Sequence, residues 1–321
     1  MSERVVVIGG SGHIGTFLVP RLVRAGYEVV NVSRGSRAAY VGAPEWEQVR
    51  QVVADREDAG FPDRIAELGA DAVVDLVCFT LESAGALVER LRGQAGHLVH
   101  CGSIWRYGPS LRSPISEDSG TAPEGEYGVQ KDLIARMLKE ETASGGLVTT
   151  SLHPGHIVGP GWHPIGPLGS LDPEVWATLS AGRPLRVPGS GTESMHHVHA
   201  DDVAQSFELA IARRDAAAGE DFVIVAPTAL NVRGYAEIAA GWFGHGASLE
   251  FVTWEEFRRT ASPEHAEASW EHLHRSHCFS IDKAESLLGY APRYEPEAAV
   301  LESVRRLIEH GELEVAGPLV V

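Results

Sequence analysis

Tyr127 and Lys131 stand four positions apart in the run Tyr127-Gly128-Val129-Gln130-Lys131, a spacing that puts them one turn from each other on one face of a helix. The run continues as Asp132-Leu133-Ile134-Ala135-Arg136-Met137-Leu138, whose apolar positions recur at helical spacing. A phenol starts with a pKa of about 10, too high to exchange a proton near neutral pH. An ammonium one turn away favours the phenolate and lowers that value. Such a pair can give a proton to a carbonyl oxygen or take one from an alcohol. The same spacing also recurs on solvated helices with no chemical role, so the reading depends on what stands upstream. Ser103 follows the apolar stretch His97 to Cys101. At the carboxyl end of a central strand its hydroxyl can polarise a substrate oxygen, whereas a Ser at a strand end is otherwise a turn residue.

The elements that must position these groups begin with Arg4-Val5-Val6-Val7-Ile8, a continuous apolar strand of the kind covered on both faces. It runs into Gly9-Gly10-Ser11-Gly12-His13-Ile14-Gly15, and a helix follows through Phe17, Leu18, Leu22 and Val23. In that strand–turn–helix context Gly9 and Gly12 let the backbone turn and approach a pyrophosphate. Gly15 lets helix and strand pack closely, and the helix N-terminus favours the anion. The second strand, Glu28 to Val32, should end at the residue that meets the adenosine ribose. An acidic residue there would bond the 2′-hydroxyl of NAD. Ser33-Arg34 stands there instead, with Arg37 nearby, and a hydroxyl with guanidinium groups suits a 2′-phosphate. NADP is therefore favoured over NAD. The competing reading makes Arg34 and Arg37 solvated loop charges.

Further strands are expected over Val49 to Ala54, Ala72 to Leu76, His97 to Cys101 and Thr149 to His153, with helices near Ile65 to Leu68 and over Leu81 to Leu91. This alternation predicts an α/β fold with a doubly wound parallel sheet. Ligands of such sheets lie beyond the carboxyl ends of the strands. Asp55-Arg56 should therefore reach the adenine, and the Asp75-Leu76-Val77-Cys78-Phe79 segment should pass the nicotinamide half. Gly159 to Gly169 is too rich in Gly and Pro for a regular element and should form a loop over the site. Later elements are expected at Pro173 to Ala181, Leu185 to Gly189, Asp201 to Ala212, Phe222 to Ala226, Val232 to Phe243 and Glu297 to Ile308.

A chain of 321 residues can bury a large core in one domain or two closely joined ones. Its net charge of -17 opposes nucleic-acid binding, because phosphate backbones require a basic surface. No apolar run approaches membrane-spanning length, and the first strand begins without a basic leader, so no membrane association is expected. Cys78, Cys101 and Cys278 form no disulfide framework, which points to a reducing cytoplasm. Two histidine-rich sets invite a metal reading: His196, His197, His199, Asp201 and Asp202, and His272, His274, His277 and Cys278. Neither has a spacing that fixes a coordination geometry, so no metal is expected. The second set, with Trp270 beside it, reads instead as a wall of the substrate pocket.

Taken together, these motifs resemble the extended short-chain dehydrogenase/reductases of the NAD(P)-dependent epimerase/dehydratase family. The resemblance rests on Gly9 to Gly15, Ser103 with Tyr107-Gly108, and Tyr127 with Lys131. It extends through His153-Pro154-Gly155-His156-Ile157-Val158-Gly159-Pro160, His199-Ala200-Asp201-Asp202-Val203-Ala204, and Lys283-Ala284 to Leu288-Gly289-Tyr290-Ala291-Pro292. It implies a Rossmann sheet with a smaller C-terminal substrate-binding domain. It also implies Tyr127 as acid/base, Lys131 bonding the nicotinamide ribose and lowering the Tyr127 pKa, and Ser103 holding the reacting oxygen. Cofactor contacts would come from Gly9, Gly12, His13, Ile14, Gly15, Ser33, Arg34, Arg37, Asp55, Arg56, Leu76, Tyr127, Lys131, His153, Gly155 and His156. Members that dehydrate nucleotide sugars carry an Asp-Glu pair after the Ser/Thr position, but Ile104-Trp105 stands here, against a 4,6-dehydratase. His153 and the Met195-His196-His197 run stand where many sugar-nucleotide enzymes carry Arg, which disfavours a diphosphate-sugar substrate.

The sequence thus predicts a dinucleotide-binding domain over 1–158 and 190–227 and a substrate domain over 159–189 and 228–321. The expected activity is hydride transfer at a secondary alcohol or ketone carbon of a sugar-like or polyhydroxylated small molecule. Phe79, Ser103, Trp105, Trp162 and His197 are the candidate substrate contacts. An epimerase with retained NAD is the alternative, and a non-catalytic nucleotide sensor or RNA-associated relative a second one. Family members often pair through the helix carrying Tyr127 and Lys131 and the helix before it, so a homodimer is expected.

Overall fold

The computed structural model describes residues 2–321. Its central sheet contains β1 (Arg4–Ile8), β2 (Glu28–Ser33), β3 (Arg50–Val53), β4 (Ala72–Asp75), β5 (His97–Cys101), β6 (Thr149–Pro154) and β7 (Asp221–Ile224). The order is β7-β6-β5-β4-β1-β2-β3, with every pair parallel. Parallel strands need crossovers that return over the sheet, so both faces are covered and the strands read as near-continuous apolar runs. Alternate residues of β1 serve the two faces. Val5 and Val7 pack with Leu18 and Leu22 of α1 (Gly15–Arg24) and with Val203 and Phe207 of α6 (Ala200–Ala212). Val6 and Ile8 face Ile65 of α2 (Phe61–Ala66), Leu87 and Leu91 of α3 (Leu81–Leu91), and Ile134 and Leu138 of α4 (Gly125–Ala143). The strand order reverses between β1 and β4, and a crevice opens there beyond the carboxyl ends.

Beyond the short helix α7 (Arg214–Ala217), a second apolar core gathers Trp176 of α5 (Pro173–Ser180), Tyr235 and Trp242 of α8 (Val232–Trp242) and Phe257 of α9 (Trp254–Thr260). Leu273 of α10 (Pro263–Leu273) and Val304 of α11 (Pro296–Glu309) complete it. The polar helices α9 and α10 and the strand Leu249–Val252, which pairs with Leu185–Pro188, are absent from the sequence expectations. The helices present few apolar residues and the strand is only four residues long, and the partners that make burial worthwhile come from distant segments. A capping box of Thr253 and Glu256 does mark the start of α9.

Ala284, Leu288 and Tyr290, which the sequence reading assigned to the smaller domain, pack instead into the core of the sheet. The Tyr290 hydroxyl donates to Val225 O at 3.0 Å and holds that segment beside β7. Among the described residues no helix is long and apolar enough to cross a membrane.

Candidate active site

Two adjoining cavities of about 370 and 450 Å³ form one cleft over the sheet, sharing Gly9, Gly12, Arg37, Val77 and Phe79 in their walls. The glycine turn lies between them. Gly9 has φ of 87°, a left-handed conformation that favours glycine, and a Cβ there would meet Val77 at 2.7 Å. A Cβ on Gly15 would stand 2.2 Å from Gly10 O, so Gly15 serves close packing under the turn and does not itself line the cleft. α1 begins with no side-chain cap and no acidic residue in its first turn, which leaves N–H groups and positive dipole for an anion. The turn thus fits a dinucleotide pyrophosphate.

Ser33, Arg34, Arg37, Asp55 and Arg56 all line the smaller cavity, but their states differ. Arg34 is exposed. Arg37 donates from Nη1 to the Tyr40 hydroxyl at 2.6 Å and borders both cavities. Arg56 is committed elsewhere: two bonds of 2.8 Å reach the Asp75 carboxylate, and Nε donates to Ser83 Oγ at 2.8 Å. It builds the pocket floor. Ser33 Oγ accepts the Gly35 N–H at 3.2 Å and keeps its own proton to give.

The larger cavity brings Ser103, Tyr127 and Lys131 together. Ser103 Oγ accepts the Trp105 N–H at 3.2 Å, so the Ser103 proton remains available to a substrate oxygen. Lys131 is buried, and its Nζ donates to Cys78 O at 2.8 Å and Cys101 O at 2.7 Å, the exits of β4 and β5. Burial lowers the Lys131 pKa. The expected depression of the Tyr127 phenol is not found: burial of the hydroxyl end pushes it up to about 12, and the nearby Ser103 hydroxyl only partly offsets this. The residue as a whole is 42% exposed, so the phenol ring borders solvent while its oxygen is poorly solvated. The Lys131 ammonium lies 5.7 Å from the centre of the Tyr127 ring and is held by carbonyl oxygens, which explains its weak grip on the phenol.

His13, Ile14, Leu76, Phe79, Trp105, Gly155, His156 and Trp162 also line the larger cavity. His13 stacks on Trp162 at 4.8 Å, and neither of its ring nitrogens has a protein partner. His156 is likewise buried with both nitrogens unpartnered. Two expectations are corrected. His153 is fully buried behind the Gly102–Ser103 backbone, outside the cleft wall, because alternation along β6 turns it inward. His197 is also fully buried, bonded through Nε2 to Ile165 O at 3.2 Å, and lies behind His156 with ring centres 5.4 Å apart. Tyr40 and Ile165 also line the cleft, and of the second histidine set only His272 stands in the wall; His274, His277, Cys278 and Trp270 do not, His274 being bonded to Glu124 and His277 to Gly108 O. Among the described residues no group of three or more His, Cys, Asp or Glu could hold a metal ion.

A model of the NAD dependent epimerase/dehydratase family matches residues 5–225. Over 204 residues the chain is 30% identical to a 2'-dehydrokanamycin reductase of Streptomyces kanamyceticus, a match covering 62% of this chain and 55% of the reductase. The chain thus spans about half the length of that relative. It is 26% identical over 312 residues to a chloroplast stem-loop binding protein of Arabidopsis thaliana, covering 91% of this chain and 76% of that protein. Among solved structures, an epimerase of Methanothermobacter thermautotrophicus superposes with a TM-score of 0.75 at 20% identity, over 97% of this chain and 94% of that one. That likeness shows the shared fold. The family match spans the glycine turn, Ser103, Tyr127, Lys131 and the strands of the sheet, so this chain belongs to the NAD dependent epimerase/dehydratase family.

Proposed function

We propose that the protein transfers a hydride at a secondary alcohol or ketone carbon of an uncharged, sugar-like or polyhydroxylated metabolite, with NADP(H) favoured over NAD(H). The observation that carries this reading is one cavity lined by Ser103, Tyr127 and Lys131 at one end and by the glycine turn at the other. A nicotinamide nucleotide, when bound, supplies or accepts the hydride at ring C4. The Ser103 hydroxyl donates to the substrate oxygen, and Tyr127 exchanges the proton with it. Lys131 spends two N–H bonds on carbonyls and keeps a third for a ribose hydroxyl. A phenol held near 12 is protonated at neutral pH, the state required to reduce a ketone. Arg34 and Arg37 beside Ser33 support the NADP preference.

The cavity wall also supports an uncharged substrate. Among the described residues Arg37 and Lys131 are its only charged ones; Lys131 is held by the carbonyls of Cys78 and Cys101, and Arg37 by the Tyr40 hydroxyl. Trp105, Trp162, Ile165 and His272 leave faces suited to the C–H surface of a sugar ring, with His156 as a neutral hydrogen-bonding group. Tyr127→Phe tests the assignment: turnover on a responsive ketone and polyol panel should fall at least about 100-fold with NADPH affinity unchanged. Unaffected turnover would remove Tyr127 from the chemistry. Absence of turnover in the native protein across the whole panel, with nucleotide binding retained and stem-loop RNA captured, would instead favour the RNA-associated reading.

The family membership favours a second reading, an epimerase that keeps NAD through the cycle. Denaturing freshly purified protein and weighing the released nucleotide separates the two. Near-stoichiometric NAD points to the epimerase, and an empty protein that prefers NADPH to the reductase. A homodimer through α3 and α4 fits the exposure of Leu133 on α4, and sedimentation as a monomer would dispose of it. A reducing, cytoplasmic setting fits the three free cysteines.

A further inference from the structure

We infer that His153 is a positioning residue for Ser103, accepting its backbone N–H and holding its hydroxyl at the angle the reacting oxygen requires. The inference rests on the reading of Ser103 as the hydroxyl that meets that oxygen. The sheet ladder between β5 and β6 runs one step past β5, where Gly102 N donates to Leu152 O at 2.7 Å. It then stops, and the next amide, Ser103 N, donates to His153 Nδ1 at 3.2 Å. An imidazole has replaced the strand as partner of the nucleotide-proximal backbone.

The tautomer follows from the partners. Nδ1 accepts an N–H and is therefore bare. Nε2 lies 3.0 Å from Asp221 Oδ1 on β7, and burial, which raises the Asp221 pKa, is overcome by His153 and Arg106, leaving the carboxyl at about 2. Nε2 must carry the proton and donate it to this carboxylate. Arg106 Nη1 also lies 3.1 Å from Nε2, but two donors cannot bond; both converge on Asp221 Oδ1, which Arg106 reaches at 2.7 Å. Burial above all keeps the imidazole neutral, with a pKa of about 4.

The same group of side chains reaches the catalytic helix. Arg106 donates from Nε and Nη2 to Asp132 Oδ1 at 3.2 and 3.0 Å, and Asp132 follows Lys131 on α4. His153 thus ties the exit of β5 to a lattice that also fixes the register of Tyr127 and Lys131. Gly102 is part of the arrangement, since a Cβ there would lie 2.0 Å from His153 Nδ1. No other residue leaves room for the ring.

The test compares His153→Leu, which keeps the volume and removes the acceptor, with His153→Asn, whose Oδ1 takes the place of Nδ1. Hydrogen exchange of the peptide carrying Ser103 should quicken at least tenfold in the Leu variant and return towards the native rate in the Asn variant. On the best substrate of the panel, kcat should fall at least about tenfold in the Leu variant with KM and NADPH affinity unchanged, and recover in the Asn variant. Nitrogen-15 spectra of the native protein should show an Nε2–H imidazole at the signal that the Asn variant lacks. Unchanged exchange and kcat in His153→Leu, an Nδ1–H tautomer, or equal losses of kcat and melting temperature in both variants would overturn the role. Failure of the hydride-transfer reading itself would appear separately, as turnover insensitive to Tyr127→Phe, while the exchange and tautomer results still decide His153.

Discussion

Tyr127 in the free protein is a proton donor held above its ordinary value by poor solvation, at about 12. Oxidation of an alcohol needs the phenolate, so the oxidative rate should rise with pH through an acid limb, while reduction needs the phenol and should be favoured at neutral pH. Lys131 is the nearest cation, 5.7 Å from the ring centre, and its charge favours the phenolate. For Lys131→Met we expect turnover at least about 100-fold lower, with the acid limb of the oxidative profile moved upward. A lowered rate with an unmoved limb would limit Lys131 to tying the exits of β4 and β5 and gripping the ribose. Ser103 spends an acceptor site on the Trp105 N–H, so removal of its hydroxyl in Ser103→Ala should lower kcat by about 100-fold and leave NADPH affinity unchanged. A loss confined to nucleotide affinity would place Ser103 on the cofactor alone.

Two loops meet above the glycine turn. One follows β2 and carries Arg37 and Tyr40, and the other contains Gly161 and Trp162. Tyr40 fits against Gly161, where φ is 81° and a Cβ would stand 2.4 Å from the Tyr40 ring. Trp162 stacks on His13 and meets Tyr40 edge-on at 6.3 Å, and Arg37 is bonded to the Tyr40 hydroxyl. This aromatic strap lies against His13 of the glycine turn, and Trp162 and Tyr40 both line the larger cavity. Trp162→Ala should speed NADPH dissociation about tenfold, an effect on the off-rate rather than the on-rate, with little change in melting temperature because Trp162 is 43% exposed. Stopped-flow fluorescence reads this directly, and an unchanged off-rate would mean that the strap does not cover the cofactor. Removing the strap should matter most in an enzyme that exchanges its nucleotide every turnover.

Over the whole molecule, burial of neutral histidines links stability to pH. His97, His153, His196, His197 and His277 are each lowered from 6.5 to about 4, with burial the largest cause. The unfolded chain therefore binds more protons than the folded one between about pH 6.5 and 4. Stability is full above that window and is lost as pH falls through it. Relief of repulsion within a chain of net charge -17 acts in the opposite direction, but most carboxylates titrate below the upper half of the window. Melting temperature should accordingly fall from pH 7 to pH 5. A flat or rising profile would show that these imidazoles are not held neutral inside the fold.

Local spacing alone determined the parts of the site that lie along one element. The strand into Gly9 and the place of Ser103 after β5 follow from short continuous apolar runs, and the Tyr127–Lys131 turn of helix from a period of 3.6 residues; the sheet follows from the alternation of such runs with helices. Spacing could also mark α9, whose capping box stands in the sequence, although its packing partners do not. Only the tertiary structure decided which buried side chains face the cleft and which stand behind it. His153 and His156 are three residues apart and belong to one motif, yet strand alternation and the turn after β6 send the first behind Ser103 and the second into the cavity. Arg106 and Asp221, 115 residues apart, meet because β5, β6 and β7 are neighbours in the sheet. The Tyr127 pKa differs from expectation for the same reason: an ammonium one turn away is legible, but the carbonyl oxygens that hold it belong to Cys101 and Cys78, 30 and 53 residues away from Lys131, and the burial that raises the phenol is set by the fold. Charge and desolvation act through distance in space, which a linear pattern does not carry.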